Sequence, residues 1–150
     1  MTVGQIMTAY PEALGPDDTI QKAAKLMRDH DYGVIPLIDA DSSLVGIVTD
    51  RDIVVKAVAG GHGPDTPLSE CMTPDPDSVP KDIPIEQALH VMNTRQIRRL
   101  PVVEFGRLIG MISLGDIAKS RTPGPETLKT LESVSASGGE NRPGAGLPES

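Results

Sequence analysis

The sequence predicts an α+β fold, an α/β-type sandwich of two β-α-β-β-α units packed through their sheets about a pseudo-two-fold axis. Three observations carry that expectation. The chain repeats itself in register over most of its length. Each repeat joins a helix-spaced apolar stripe to two short apolar runs. A single unit of about 60 residues is too small to bury its own apolar faces, so two must pack together.

The repeat begins with Ile6-Met7-Thr8, which resembles Cys71-Met72-Thr73. A shift of about 65 positions lays Ile20 on Ile85, Ala23 on Ala88, Met27 on Met92 and Pro36 on Pro101. After a one-residue contraction, Leu44 falls on Leu108, Gly46 on Gly110, Asp52 on Asp116 and Ile53 on Ile117. The units are read as residues 1–62 and 63–121, joined near Gly60 to Pro67, with 122–150 as a tail. The tail is dominated by Pro, Gly, Ser, Thr and Glu and carries few apolar residues, so it is expected to be disordered, with one weak helical turn around Glu126 to Leu131.

Within each unit the elements follow in order. A short strand is expected near Glu12 to Leu14, and near Asp77 to Val79 in the second copy. Ile20, Ala23, Ala24 and Met27 sit at helical spacing, with Asp18 as a capping residue and Gln21 completing a capping box. The matching stripe is Ile85, Ala88, Leu89 and Met92, with Pro84 at the first helical position. Val34-Ile35-Pro36-Leu37-Ile38 reads as a strand, Asp39 to Ser43 as a turn, and Leu44-Val45-Gly46-Ile47-Val48 as the returning strand of a hairpin. The second hairpin runs through Leu100-Pro101-Val102-Val103, a turn at Glu104 to Arg107, and Leu108-Ile109-Gly110-Met111-Ile112. Helices close the units, from Asp50 to about Val58 and from Leu114 to about Ser120.

Composition narrows the function. Among 150 residues, hydrophobic types make up 38% but aromatics only 2%, so the core must be built from Val, Ile, Leu, Ala and Met. A net charge of −7 argues against nucleic acid and anionic membrane surfaces as partners, because phosphate contacts need a basic face. One cysteine, Cys71, allows no internal disulfide and favours a cytoplasmic setting. There is no long apolar run to span a membrane, and the N-terminus lacks the basic and apolar blocks of a signal peptide.

The end of each second strand carries a shared pattern: Gly46-Ile47-Val48-Thr49-Asp50-Arg51-Asp52 and Gly110-Met111-Ile112-Ser113-Leu114-Gly115-Asp116. A hydroxyl stands at the strand-to-helix junction with a carboxylate three residues on. Free N–H groups at a helix start attract anions, a hydroxyl adds a hydrogen bond to phosphate, and a carboxylate can accept from both hydroxyls of a ribose. The same pattern is also a plain helix cap. Its recurrence at one place in both copies favours the binding reading.

This order of apolar helix, Pro-bearing strand, Gly-hydrophobic-hydrophobic-Thr/Ser-x-x-Asp and helix resembles the cystathionine-beta-synthase-type (CBS) domain. The tandem resembles a Bateman module, as in free-standing bacterial CBS-domain proteins, over about Val3 to Arg121. By that resemblance Thr49 and Ser113 would hold phosphate, and Asp52 and Asp116 the ribose hydroxyls. The backbone of Gly33-Val34-Ile35 and Arg98-Arg99-Leu100 would line the base pocket. Thr8 and Thr73, and residues near Ala13 and Ser78, would close it. The implied ligands are AMP, ADP, ATP or S-adenosylmethionine, with no cofactor required.

Several residues have two readings. Arg51 reaches phosphate or faces water. Arg98 and Arg99 meet phosphate at a cleft mouth or pair with an acid such as Asp116. Tyr32 stacks on adenine or packs. His30, His62 and His90 show no metal-ligand spacing with Cys71, and no metal site is expected. The methionines and Cys71 read as core residues.

The expected function is a non-catalytic regulatory module that senses an adenosyl ligand in clefts between the repeats and signals to a protein partner in trans. The alternative is a ligand-independent dimeric interaction module. No Ser-His-Asp set, P-loop or dinucleotide fingerprint points to an enzyme. The resemblance implies a homodimer, in which helix faces such as Ile53-Val54-Val55 and Ile117-Ala118 would pair across a two-fold axis.

Overall fold

Helix α2 (Ile20–His30) starts one residue later than its sequence pattern suggests. The computed structural model, which describes residues 1–120, makes Thr19 the cap, its hydroxyl accepting from the Lys22 N–H at 3.2 Å. Asp18 is spent on the preceding turn instead: it accepts from the Gly15 N–H at 2.8 Å and pairs with Lys22 at 3.1 Å. With the cap moved, Gln21 no longer stands where a capping box needs it. In helix α4 (Ile85–Arg95), Pro84 is likewise the capping residue, not the first helical one. A missing N–H costs nothing at either place.

Both helices end alike. Asp31 and Gln96 take left-handed conformations, with φ of 58° and 56°. In each the N–H of that residue and of the next, Tyr32 or Ile97, donate to the Met27 or Met92 carbonyl. This closure satisfies carbonyls that the helix end leaves without partners.

The hairpins follow as expected. Strands β2 (Val34–Ile38) and β3 (Leu44–Thr49) pair antiparallel, as do β5 (Arg99–Glu104) and β6 (Arg107–Ser113). Each hairpin has an irregularity at the matching place, Leu37/Ile38 and Val102/Val103. The short strands expected before the helices are single parallel bridges, Leu14 to Leu37 and Val79 to Val102.

An exchange of segments was not legible in the sequence. Residues Thr8–Ala9 form β1, which pairs with β6 of the second repeat; Thr73–Pro74 form β4, which pairs with β3 of the first. The result is two three-stranded sheets, β1-β6-β5 and β2-β3-β4. Helix α1 (Val3–Ile6) goes with β1, so Val3 is buried with Leu89, Met92, Leu100, Val102 and Ile112 in the second core. In return Leu68, in a short 3-10 turn (Leu68–Glu70), and Cys71 are buried with Ile20, Ile35, Leu37 and Val48 in the first. The hairpin turns also meet: the Leu44 N–H donates to the Gly106 carbonyl at 3.1 Å, and the Leu108 N–H to the Ser42 carbonyl at 2.9 Å.

Helix α3 (Asp50–Asp52) widens into a π-helix over Ile53–Val58, and α5 (Leu114–Ser120) closes the second repeat. Of the face expected to be exposed, Val54 and Val55 are exposed and the rest is not. Ile53 and Ile117 are buried in the two cores and Ala118 is half-buried, because the helices lay these positions on their own repeats. On the π-helix, Val58 is exposed beside Val54 and Val55. No helix among the described residues is long and apolar enough to cross a membrane. The expected tail lies outside the described residues.

Candidate functional site: two strand-to-helix junctions

Strand β3 delivers Thr49 to the start of α3, where a reciprocal pair of hydrogen bonds forms. The Asp52 N–H donates to the Thr49 hydroxyl at 2.9 Å, and the Thr49 N–H donates to the Asp52 carboxylate at 3.0 Å. The second repeat reproduces this between Ser113 and Asp116, at 3.0 Å in both directions. The capping arrangement that the sequence allowed is therefore present in both copies. Capping leaves chemistry free, however. A hydroxyl that accepts still has its proton to donate, and a carboxylate offers about four lone-pair sites.

The strand register places the other candidates. Val34 lies opposite Thr49, and Arg99 opposite Ser113. The Gly33 and Arg98 carbonyls accept from the Asp50 and Leu114 N–H groups, at 3.1 and 2.7 Å. These bonds draw Gly33-Val34-Ile35 and Arg98-Arg99-Leu100 against the helix starts. The Ile35 and Leu100 side chains point into the cores, so only their backbone is available to a ligand.

The exchanged strands bring in the threonines. Thr73 pairs with Ile47, and its hydroxyl lies 3.4 Å from the nearer Asp52 oxygen. Thr8 pairs with Met111 in the second sheet and is exposed. The structure thus brings Thr73 to the junction of the first repeat, while Thr8 is placed by its backbone pairing alone, on the strand that leads to Ser113.

Lys56 also stands at the first junction, and the sequence reading passed over it. Its ammonium lies 3.1 Å from the Asp52 oxygen Oδ1, which makes Asp52 a buried and paired acid. The signal was present, since Asp52 and Lys56 stand four apart, the spacing that brings side chains together on a helix. Ser120 occupies the matching position in the second repeat.

Arg99 has the opposite asymmetry, with Val34 as its counterpart. Its side chain is half-buried, and its Nε is a fully buried nitrogen without a hydrogen-bond partner. Burial pulls the guanidinium below its usual range, against the pull of the Asp116 carboxylate and Tyr32. The group is charged at any physiological pH all the same. Arg98 is half-buried beside it, and Arg51 is exposed.

The remaining candidates resolve toward structure. Tyr32 packs against the first core and stacks on His30 with ring centroids 5.2 Å apart, so one ring face is taken. Cys71 is buried, and burial pushes its thiol up, away from the reactive thiolate. Among the described residues no cluster of His, Cys, Asp and Glu could hold a metal. A cavity of about 380 Å³ lies apart from both junctions, lined by Gly15, Asp17, Asp18, Ile38 and Asp39 among others. Its acids make it unsuited to a phosphate.

Comparison with known proteins agrees with this architecture. The model of the CBS domain family matches residues 3–58 and again residues 68–122. The CBS domain-containing protein YhcV of Bacillus subtilis is 36% identical over 134 residues, which cover 89% of this chain and 95% of that protein. Hypoxic Response Protein I, solved with two coordinated zinc ions, superposes with a TM-score of 0.75 at 37% identity, over 81% of this chain and 99% of that one. CBSX2, solved in complex with AMP, gives 0.71 at 28% identity, over 79% and 94%. The CBS domain pair of protein MJ0100, solved with 5-methylthioadenosine and S-adenosyl-L-methionine, gives 0.71 at 28% identity, over 80% and 94%.

Proposed function

The chain belongs to the CBS domain family, and on that premise we propose that it is a non-catalytic regulatory module whose two strand-to-helix junctions bind an adenine nucleotide. The observation that carries this reading is the duplicated pairing of Thr49 with Asp52 and Ser113 with Asp116, each beside a strand whose backbone is drawn against the helix start. In this role Thr49 and Ser113 donate to phosphate, Asp52 and Asp116 accept from ribose, and Gly33 to Ile35 and Arg98 to Leu100 flank the base. Thr73 and Thr8 close the site from the other repeat. The AMP and S-adenosyl-L-methionine complexes of CBSX2 and MJ0100 support an adenosyl ligand.

A ligand between two repeats that share each other's strands shifts the balance between their packings by its differential affinity. A protein partner in trans reads that shift. Val54, Val55 and Val58 form the exposed apolar face on which a homodimer would close. Isothermal titration with AMP, ADP, ATP and S-adenosylmethionine tests the reading, beside an Asp52→Ala, Asp116→Ala double variant. Micromolar binding that the folded variant loses supports it. The absence of heat from all four ligands replaces it with the ligand-independent interaction module.

A further inference from the structure

Each motif glycine carries the thioether of the residue that leads into the exchanged strand. A Cβ on Gly46 would stand 2.8 Å from the Met72 sulfur, and a Cβ on Gly110 would collide with the Met7 sulfur. Met7 immediately precedes β1, and Met72 immediately precedes β4. Each of those strands is two residues long and pairs with its neighbour at two positions. Strands that short hold poorly by backbone pairing alone, so the side chains beside them must anchor them. Both methionines pack on a core yet are only half-buried, Met7 on that of the second repeat and Met72 on that of the first. Met92 and Met111 are buried.

We propose that Met7 and Met72 are a pair of oxidant-sensitive latches: a peroxide converts their thioethers to sulfoxides and frees β1 and β4 from the opposite repeat. The sulfur lone pair attacks one peroxide oxygen. An S–O bond forms as the O–O bond breaks, and the leaving hydroxide takes a proton to become water. Sulfur gives up the two electrons that the peroxide gains. The product is a polar sulfoxide whose oxygen needs a hydrogen-bond donor. Beside Gly46 and Gly110 lie the Thr73 and Thr8 carbonyls, which accept and do not donate. An acceptor buried without a donor costs free energy, so the oxidised tip turns out to water. The strand is then left with its two pairings and no anchor on the glycine. Thr73 follows Met72 directly and lies 3.4 Å from Asp52, so release of β4 takes its hydroxyl from the first junction. The latch acts on the hold between the repeats, whether or not the junctions take a nucleotide.

The test is hydrogen peroxide added to the full chain, read by peptide mass spectrometry and by amide exchange. Sulfoxide is expected at Met7 and Met72 about tenfold faster than at the buried Met92 and Met111. Amide exchange around Thr8 to Tyr10 and at Thr73 should then quicken about tenfold or more. The two stereospecific methionine sulfoxide reductases together should restore the slow exchange, which they would not do for an oxidised Cys71. Met7→Leu and Met72→Leu keep the apolar bulk without a sulfur to oxidise, and each should spare its own strand while the other still loosens. Thermal melts establish that the variants fold, and reversal by the reductases tests the wild type if they do not. Sulfoxide at Met7 and Met72 no sooner than at Met92 and Met111 would overturn the latch. So would unchanged exchange once both are oxidised, loosening that the reductases leave in place, or equal loosening in the leucine variants.

Discussion

Gly46 gives up its side chain to Thr73: a Cβ on Gly46 would stand 3.0 Å from the Thr73 carbonyl oxygen, with the Met72 sulfur at 2.8 Å. Gly110 faces the Thr8 carbonyl at 3.1 Å, with Met7 beside it. The glycine of each motif is thus the floor on which the other repeat's strand lies. Methionine tips can swing away, but the paired carbonyl cannot without breaking the ladder. Gly46→Ala and Gly110→Ala should each destabilise by about 1–3 kcal/mol, the usual cost of overpacking. Chemical denaturation checks this, and full stability in both variants would show that the exchanged strands are loosely held.

Those glycines also show how far the sequence was legible. The repeat, both hairpins and the Thr49/Asp52 and Ser113/Asp116 pairs were readable because they rest on local periodicity and spacing. The exchange of β1 and β4 was not, because strands as short as Thr8–Ala9 and Thr73–Pro74 carry no periodicity of their own. The helix cap was misplaced by one residue because Asp18 and Thr19 are both good caps, and only the turn back to Gly15 decides between them. Arg99 was legible as a candidate, but its orphaned Nε depends on packing from both repeats.

The exchange predicts a displaced effect for Val3→Ala. Val3 begins the first repeat but is buried in the core of the second. Truncation should cost about 1–3 kcal/mol. The loss of amide-exchange protection should concentrate in α4, β5 and β6. Loss centred on β2 and β3 instead would contradict the packing described for α1.

Asp18 gives the fold a dependence on acid. The Gly15 N–H holds its carboxyl below the ordinary value of 3.8, with Lys22 assisting and burial opposing. A group depressed in the folded state contributes stability above its unfolded pKa and loses it as pH falls through the folded one. Asp18→Asn should therefore be less stable than wild type at neutral pH. The gap should close as pH falls below 3.8. Thermal melts between neutral and strongly acidic pH measure it; a gap that is constant with pH would mean that the amide costs stability by packing alone.

Ser113 and Asp116 allow capping to be separated from binding, because the two halves of their exchange respond differently to substitution. Ser113→Ala removes the acceptor for the Asp116 N–H and should cost about 0.5–2 kcal/mol, as lost caps do. Asp116→Asn keeps an amide oxygen for the Ser113 N–H, so stability should stay within about 0.5 kcal/mol. The asparagine nonetheless presents a donor where a ribose needs an acceptor, and the negative charge is gone. AMP affinity should therefore fall about tenfold or more in Asp116→Asn, with the melting temperature nearly unchanged. Unchanged AMP affinity in that variant would confine Asp116 to the cap, and the ribose would have to be held elsewhere.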